Sequence, residues 1–140
     1  MTINQELSLL VREHLHDDVQ QLALQRNRYP QLSDADFRFL LQQIDGFQRT
    51  KDKLPSIAKI ENWWYPVRLS CEQCSSEATA LYKTKIINRL GISKLIDLTG
   101  GYGIDSYFIS EHVKEADYIE RNPELCAIAA HNFAMTRPQI

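Results

Sequence analysis

No hydrophobic run in this 140-residue chain approaches the roughly 20 apolar residues that span a bilayer. The start, Met1-Thr2-Ile3-Asn4, lacks both the basic segment and the apolar core of a secretory signal, so a soluble cytoplasmic protein with no membrane contact is expected. Cysteine is scarce too, with three in all. Cys71 and Cys74 have the spacing of half a zinc site, but only Cys126 remains and no histidine pair follows at zinc-finger spacing. Structural or incidental thiols are expected, and no metal. His14 and His16 lie among Glu13, Asp17 and Asp18, which reads as a solvated helix face. There is no internal repeat and no low-complexity tract.

What is present divides into two parts. Over residues 1–69 the pattern is helical. Leu7, Leu10, Val11, Leu15, Val19 and Leu22 form one apolar stripe that ends near Asn27 to Pro30. Ser33-Asp34-Ala35-Asp36 opens a second helix with Phe37, Leu40, Leu41 and Ile44 inward and Gly46 near its end. Two amphipathic helices in series predict a small helical bundle. From residue 70 the pattern becomes α/β. Ser70 with Gln73, and Ser75 or Ser76 with the acid that follows, are helix-start signatures. Ala78, Leu81, Tyr82, Ile86 and Leu90 then recur at helical spacing until Gly91.

The apolar run Leu95-Ile96-Asp97-Leu98 reads as a buried parallel strand, and Thr99-Gly100-Gly101-Tyr102-Gly103 as a tight turn close to a ligand. Asp105 opens the next helix, and a second strand leads through Tyr118 and Ile119 to Glu120 and Arg121. Glu120 stands 20 residues after Gly100, the spacing at which a carboxylate at a strand tip accepts hydrogen bonds from two ribose hydroxyls. Asn122 is an apt N-cap and Pro123 an apt first residue for a last helix, with Leu125, Ile128, Ala129 and Phe133 as its stripe.

A dinucleotide loop would carry a third glycine where Ser106 stands, and Asp105 would repel a phosphate at the helix start. Two acids beside the loop, Asp97 and Asp105, suit a ligand bearing an ammonium and a sulfonium.

On these residues the chain resembles the class I S-adenosylmethionine-dependent methyltransferases from about Ser70 to Phe133. The family's Asp-x-Gly-x-Gly-x-Gly loop maps onto Asp97 to Gly103, with Thr99 in place of the first glycine. With Glu72 to Lys83 included, it looks most like bacterial methyltransferases with a THUMP-like domain, relatives of RNA-modifying enzymes. The resemblance implies an N-terminal helical domain over 1–69 and, over 70–140, the first βαβα part of a Rossmann-like fold, incomplete and part of a longer protein. It implies S-adenosyl-L-methionine as cofactor. Asp97, Thr99 and the Gly100, Gly101, Tyr102, Gly103 backbone would face its methionine part, with Asp105 beside them. Glu120, followed by Arg121, would bind the ribose, and Gln73, Ser75 and Ser76 would lie over the carboxylate. The family's Asn/Asp-Pro-Pro-aromatic motif is absent, so catalytic residues are expected beyond Ile140 and the 140 residues alone are expected to be inactive. A sheet of two strands would also invite self-association.

Charge is uneven. The net values are −3 over 1–45, +5 over 46–94 and −4 over 95–140, within a total of −2. Arg49, Lys51, Lys53, Lys59 and Arg68 bracket Trp63-Trp64-Tyr65, a composition that suits single-stranded RNA. Burial of the adjacent tryptophans at a junction is the competing explanation. The function read from the sequence is methyl transfer to RNA. A non-catalytic helical RNA- or protein-binding module with a degenerate nucleotide fold, and an NAD-dependent oxidoreductase, are the alternatives.

Overall fold

The computed structural model describes residues 5–140. The Met1-Thr2-Ile3-Asn4 terminus lies outside the described residues. Helices α1 (Gln5–His14), α2 (Val19–Ala23), α3 (Asp34–Thr50), α4 (Arg68–Gln73) and α5 (Glu77–Leu90) precede strand β1 (Lys94–Asp97). Helix α6 (Ile104–Ser110), strand β2 (Glu115–Tyr118) and helix α7 (Pro123–Thr136) complete the order. The strands pair in parallel, Lys94 with Glu115 through Asp97 with Tyr118, in a two-stranded sheet. The mixed α/β arrangement, helices first and then strand–helix–strand–helix, is the one expected.

Local chemistry sets most helix ends. Ser33 accepts from the Asp36 N–H at 3.1 Å, Ser76 from Thr79 at 3.1 Å, and Asn122 from Glu124 at 2.9 Å with Pro123 first in the helix. Gly91 ends α5 at φ +65°.

Five expectations are corrected. The stripe from Leu7 to Leu22 does not form one helix. Asp18 caps α2 by accepting from the Gln21 N–H at 2.9 Å, and Asp17 binds the His14 ring at 2.6 Å, so the chain turns between them. His14 also meets the Tyr29 hydroxyl at 3.1 Å and is thus tied into the structure rather than simply solvated. Helix α3 runs past Gly46 to Thr50. Gly46 serves close packing, since a Cβ there would lie 2.3 Å from the Cβ of Tyr65. In α5 the expected apolar face points outward. Ala80 and Thr84 are buried, while Leu81, Tyr82, Ile86 and Leu90 are exposed, because the small side of the helix packs on α6. Strand β1 is not buried either. Ile96 in the strand and Leu98 just after it are 51% and 69% exposed, as one sheet face is uncovered among the described residues.

Two apolar clusters hold the chain together. Leu7, Leu22, Leu32, Phe37, Leu40 and Ile44 form the first, among α1, α2 and α3. The second joins Leu54, Ile57, Trp63 and Tyr65 to Tyr102, Ile104, Phe108 and Phe133, so the segment after α3 packs directly on the α/β part. Two buried side-chain amides clamp that segment as a neighbouring strand would. Asn132 accepts from the Trp64 N–H at 2.8 Å and donates to its carbonyl at 3.0 Å; Gln43 accepts from the Tyr65 N–H at 2.7 Å and donates to that carbonyl at 3.0 Å. Each amide thereby satisfies a backbone donor and acceptor that burial would otherwise leave unpaired. No helix among the described residues is long and apolar enough to cross a membrane.

Candidate cofactor site

The turn between β1 and α6 faces the junction of α4 and α5 across a polar cleft of about 260 Å³. Ser70, Gln73, Cys74 and Ser75 form one wall, and the stretch from Thr99 to Asp105 the other. Of the residues expected at a cofactor, Gln73, Ser75, Thr99, Gly100, Gly101, Tyr102, Gly103 and Asp105 meet here.

Each glycine of the turn has a different reason. At Gly100 a Cβ would strike the Tyr118 ring at 2.2 Å, so the residue makes room for the second strand. Gly103 has φ +84° and would meet Phe133 of α7 at 2.7 Å. Gly101 has φ +55° and, at 3.9 Å, only the Thr99 carbonyl near its missing Cβ. Two of the glycines thus serve internal packing, and Gly101 alone leaves open space beside its backbone. Tyr102 contributes backbone only. Its ring is buried, the Trp63 indole donates to its hydroxyl at 2.6 Å, and that hydroxyl donates to the Trp64 carbonyl at 3.2 Å. Burial also holds the phenol well above its ordinary pKa.

The acids are already engaged. Asp97 lies beneath the turn, accepting from the Thr99 N–H at 3.2 Å and the buried Ser106 hydroxyl at 2.6 Å. Glu120 grips the turn from the β2 side, accepting from the Gly101 N–H at 2.9 Å and the Asn122 N–H at 2.8 Å. Those bonds, Asn122's first and then Gly101's, lower its pKa. Asp105 accepts at one oxygen from the Lys83 ammonium at 2.6 Å and the Ser75 hydroxyl at 2.9 Å. Its other oxygen, Oδ1, is buried with no hydrogen-bond partner among the described residues. The expectation that Asp105 repels a phosphate is weakened here, because Lys83 neutralises it.

Four expected residues, Asp97 beneath the turn among them, do not line the cleft with Asp105. Ser76 caps α5, Arg121 is exposed after Glu120, and Glu120 itself stands behind Gly101. Sequence reasoning missed Lys83, whose signal was its place two turns along α5 from the serine cap together with the want of a cation for Asp105. Tyr118 was missed as a loop holder; its hydroxyl donates to the Gly101 carbonyl at 2.6 Å. Ser70 and Cys74 were read as a helix start and an incidental thiol, yet both line the cleft. Burial raises the pKa of the Cys74 thiol and pushes that of Cys71 up to about 12, so neither is a ready thiolate. Among the described residues no group of three His, Cys, Asp or Glu is placed to hold a metal ion.

The basic segment is largely spent internally. Arg49 pairs with Asp45 at 2.8 Å, Arg68 with Glu72 at 2.7 Å, and Lys53 donates to the Cys71 and Glu72 carbonyls at the end of α4. Lys51 and Lys59 are exposed. Trp63 is buried, as the junction account expects, whereas Trp64 is half-exposed, stacked on His131 at 3.8 Å between ring centres.

No family model and no curated protein sequence matches the chain. Among solved structures, the chain is similar to one from Porphyromonas gingivalis W83 described as a "putative methyltransferase", with a TM-score of 0.73 and 27% identity. The match covers 97% of this chain and 34% of that one, so the chain spans about a third of the length of its structural neighbour. Both the helical part and the strand–helix–strand part lie within the likeness, which supports a methyltransferase fold.

Proposed function

We propose that the chain carries the N-terminal helical domain (1–69) and the first half of the cofactor domain (70–140) of an S-adenosyl-L-methionine-dependent methyltransferase acting on RNA, of the THUMP-like group. The observation that carries the cofactor reading is the Lys83–Asp105 pair in the cleft wall. An amino acid's free end bears one ammonium and one carboxylate, and this pair offers the opposite charges. The partnerless Oδ1 of Asp105 is an acceptor for the ammonium, and the Lys83 ammonium, with two N–H groups on Asp105 and Ser75, has a third donor for the carboxylate. The residues present therefore fit the methionine end of the cofactor. Glu120 uses two of about four carboxylate acceptor sites on the backbone, which leaves capacity for ribose hydroxyls. A dinucleotide has no such end, and Ser106 is buried beneath the turn rather than opening space for a pyrophosphate.

The bound cofactor would supply an electrophilic methyl group for in-line displacement. This chain's part is to hold and orient it. For an RNA substrate the support is narrower than the sequence suggested, resting on Lys51, Lys59 and the half-exposed Trp64.

Calorimetry and ligand-observed NMR on the chain test the cofactor reading. S-adenosylhomocysteine should bind weakly, and 5′-methylthioadenosine, which lacks the amino-acid end, more weakly still. Asp105→Asn and Lys83→Met should erase that difference, and NAD should not compete. NAD binding at least as tight as S-adenosylhomocysteine would refute it, as would equal affinity for the two adenosine ligands in the unsubstituted protein.

A further inference from the structure

A second, apolar pocket of about 160 Å³ lies in the helical half, between α1, α3 and the turn over Ile57–Lys59. Val11, Leu15, Phe39, Phe47, Ile60 and Trp64 give it its hydrophobic lining. A closed cavity of about 150 Å³ lined by similar groups takes one benzene ring, so the space suits a single six-membered ring. Trp64 is fixed in place. Asn132 holds its backbone on both sides, and its ring stacks on His131 and meets Phe39 edge-on at 5.3 Å. Such a held platform loses little freedom on binding.

The polar groups around the pocket decide what kind of ring enters. Asn62 and Ser8 are among the residues that line it, and neither side chain has a hydrogen-bond partner among the described residues. Asn62 has φ +59°, the one non-glycine residue at positive φ among those described, and the His131 ring binds its carbonyl at 2.9 Å. An aliphatic side chain would leave these donors and acceptors unused; the edge of a base would meet them. At the rim Arg12 is paired with Glu61, while the Lys59 ammonium has no partner among the described residues. A phosphate beside the ring would complement it.

We propose that this pocket holds one unstacked pyrimidine base of single-stranded RNA, with Trp64 and Phe39 as its aromatic walls, Asn62 and Ser8 at its polar edge and Lys59 on the adjoining phosphate. The proposal rests on the RNA reading above but not on the cofactor. The base held here is an anchoring base, since the pocket is separated from the glycine turn by the buried Trp63 and Tyr102, joined through the Tyr102 hydroxyl.

The test titrates the 140-residue chain with the hexanucleotides U6 and A6, followed by tryptophan fluorescence, with S-adenosylhomocysteine titrated in parallel. U6 should bind at least fivefold more tightly than A6 and quench the fluorescence. Ala58→Phe, which fills the pocket from the 57–59 turn, should weaken U6 at least fivefold, and Ser8→Phe should do so from α1. Circular dichroism identifies whichever variant stays folded. Lys59→Gln should flatten the slope of log affinity against log salt by about 0.7, the share of one phosphate on a single strand, whereas Lys51→Gln should preserve the preference for U6 over A6. Absence of U6 binding, unchanged affinity in both folded filling variants, or an apolar peptide displacing U6 would overturn the proposal. If neither hexanucleotide binds, the RNA reading falls with the pocket; if U6 and A6 bind alike and the folded filling variants leave both unchanged, the pocket assignment falls alone. If U6 binds and S-adenosylhomocysteine does not, the pocket stands and the cofactor reading falls.

Discussion

Replacing each turn glycine by alanine should separate packing from ligand access. At Gly101 the added methyl meets nothing closer than the Thr99 carbonyl at 3.9 Å, so the cost is that of left-handed backbone alone, about 1 kcal/mol. Gly91, at φ +65° with nothing within 4 Å, should cost the same and serves as the control. Gly100 carries no such backbone term, but the methyl would fall 2.2 Å from the Tyr118 ring. Moving that ring threatens its 2.6 Å bond to the Gly101 carbonyl, and overpacking of this kind costs about 1–3 kcal/mol. Gly103 combines both effects, positive φ and a 2.7 Å approach to Phe133, for about 3 kcal/mol. Against a total stability of roughly 5–15 kcal/mol these are resolvable differences in urea unfolding midpoints. Ligand binding should follow a different order. Gly101→Ala should lose S-adenosylhomocysteine while nearly as stable as the unsubstituted protein, and Gly91→Ala should keep it. If Gly101→Ala destabilised as much as Gly103→Ala, the reasoning that Gly101 alone faces open space would fail.

Three further outcomes are expected. Because Glu120's pKa is lowered in the folded chain, its contribution is complete above the ordinary value of 4.5 and is lost as pH falls through the folded one; Glu120→Gln should remove that dependence in urea melts run from pH 6 to 3, and an unchanged profile would refute it. Asn132→Ala strips partners from both backbone groups of Trp64 and should cost about 3 kcal/mol, whereas a loss under 1 kcal/mol in thermal melts would mean that water replaces the amide. The exposed faces of α5 and β1, with Leu81, Ile86, Leu90, Ile96 and Leu98, should make the chain self-associate in light scattering, and Leu90→Lys with Ile96→Lys should reverse it; a monomer at high concentration would count against this.

The features legible in the sequence are those fixed by neighbours along the chain. Ser33, Ser76 and Asn122 cap helices because a side-chain oxygen reaches an N–H two or three residues on. The glycine turn and Asp97 were legible as a unit for the same reason, since Asp97 bonds its own turn at Thr99. Direction was not legible. The α5 pattern marks a helix with one apolar side, but which side is buried depends on α6, some 20 residues away, and there the small residues Ala80 and Thr84 pack. Gly46 reads as a helix end only until Tyr65 is known to lie against it.

The least legible residues are the buried polar ones, and they connect the two halves. Asn132 interrupts the apolar stripe of α7, and in sequence it looks like a solvated position. Its burial follows from Trp64, 68 residues earlier, whose backbone has no strand beside it and needs one donor and one acceptor. A side-chain amide is the group that supplies both. The same arrangement at Gln43 and Tyr65 places the aromatic segment between the helices and the glycine turn, where the Tyr102 hydroxyl joins Trp63 to Trp64. The cleft's shape therefore depends on residues of the helical half, because the ring of Tyr102 is anchored there while its backbone lines the cleft.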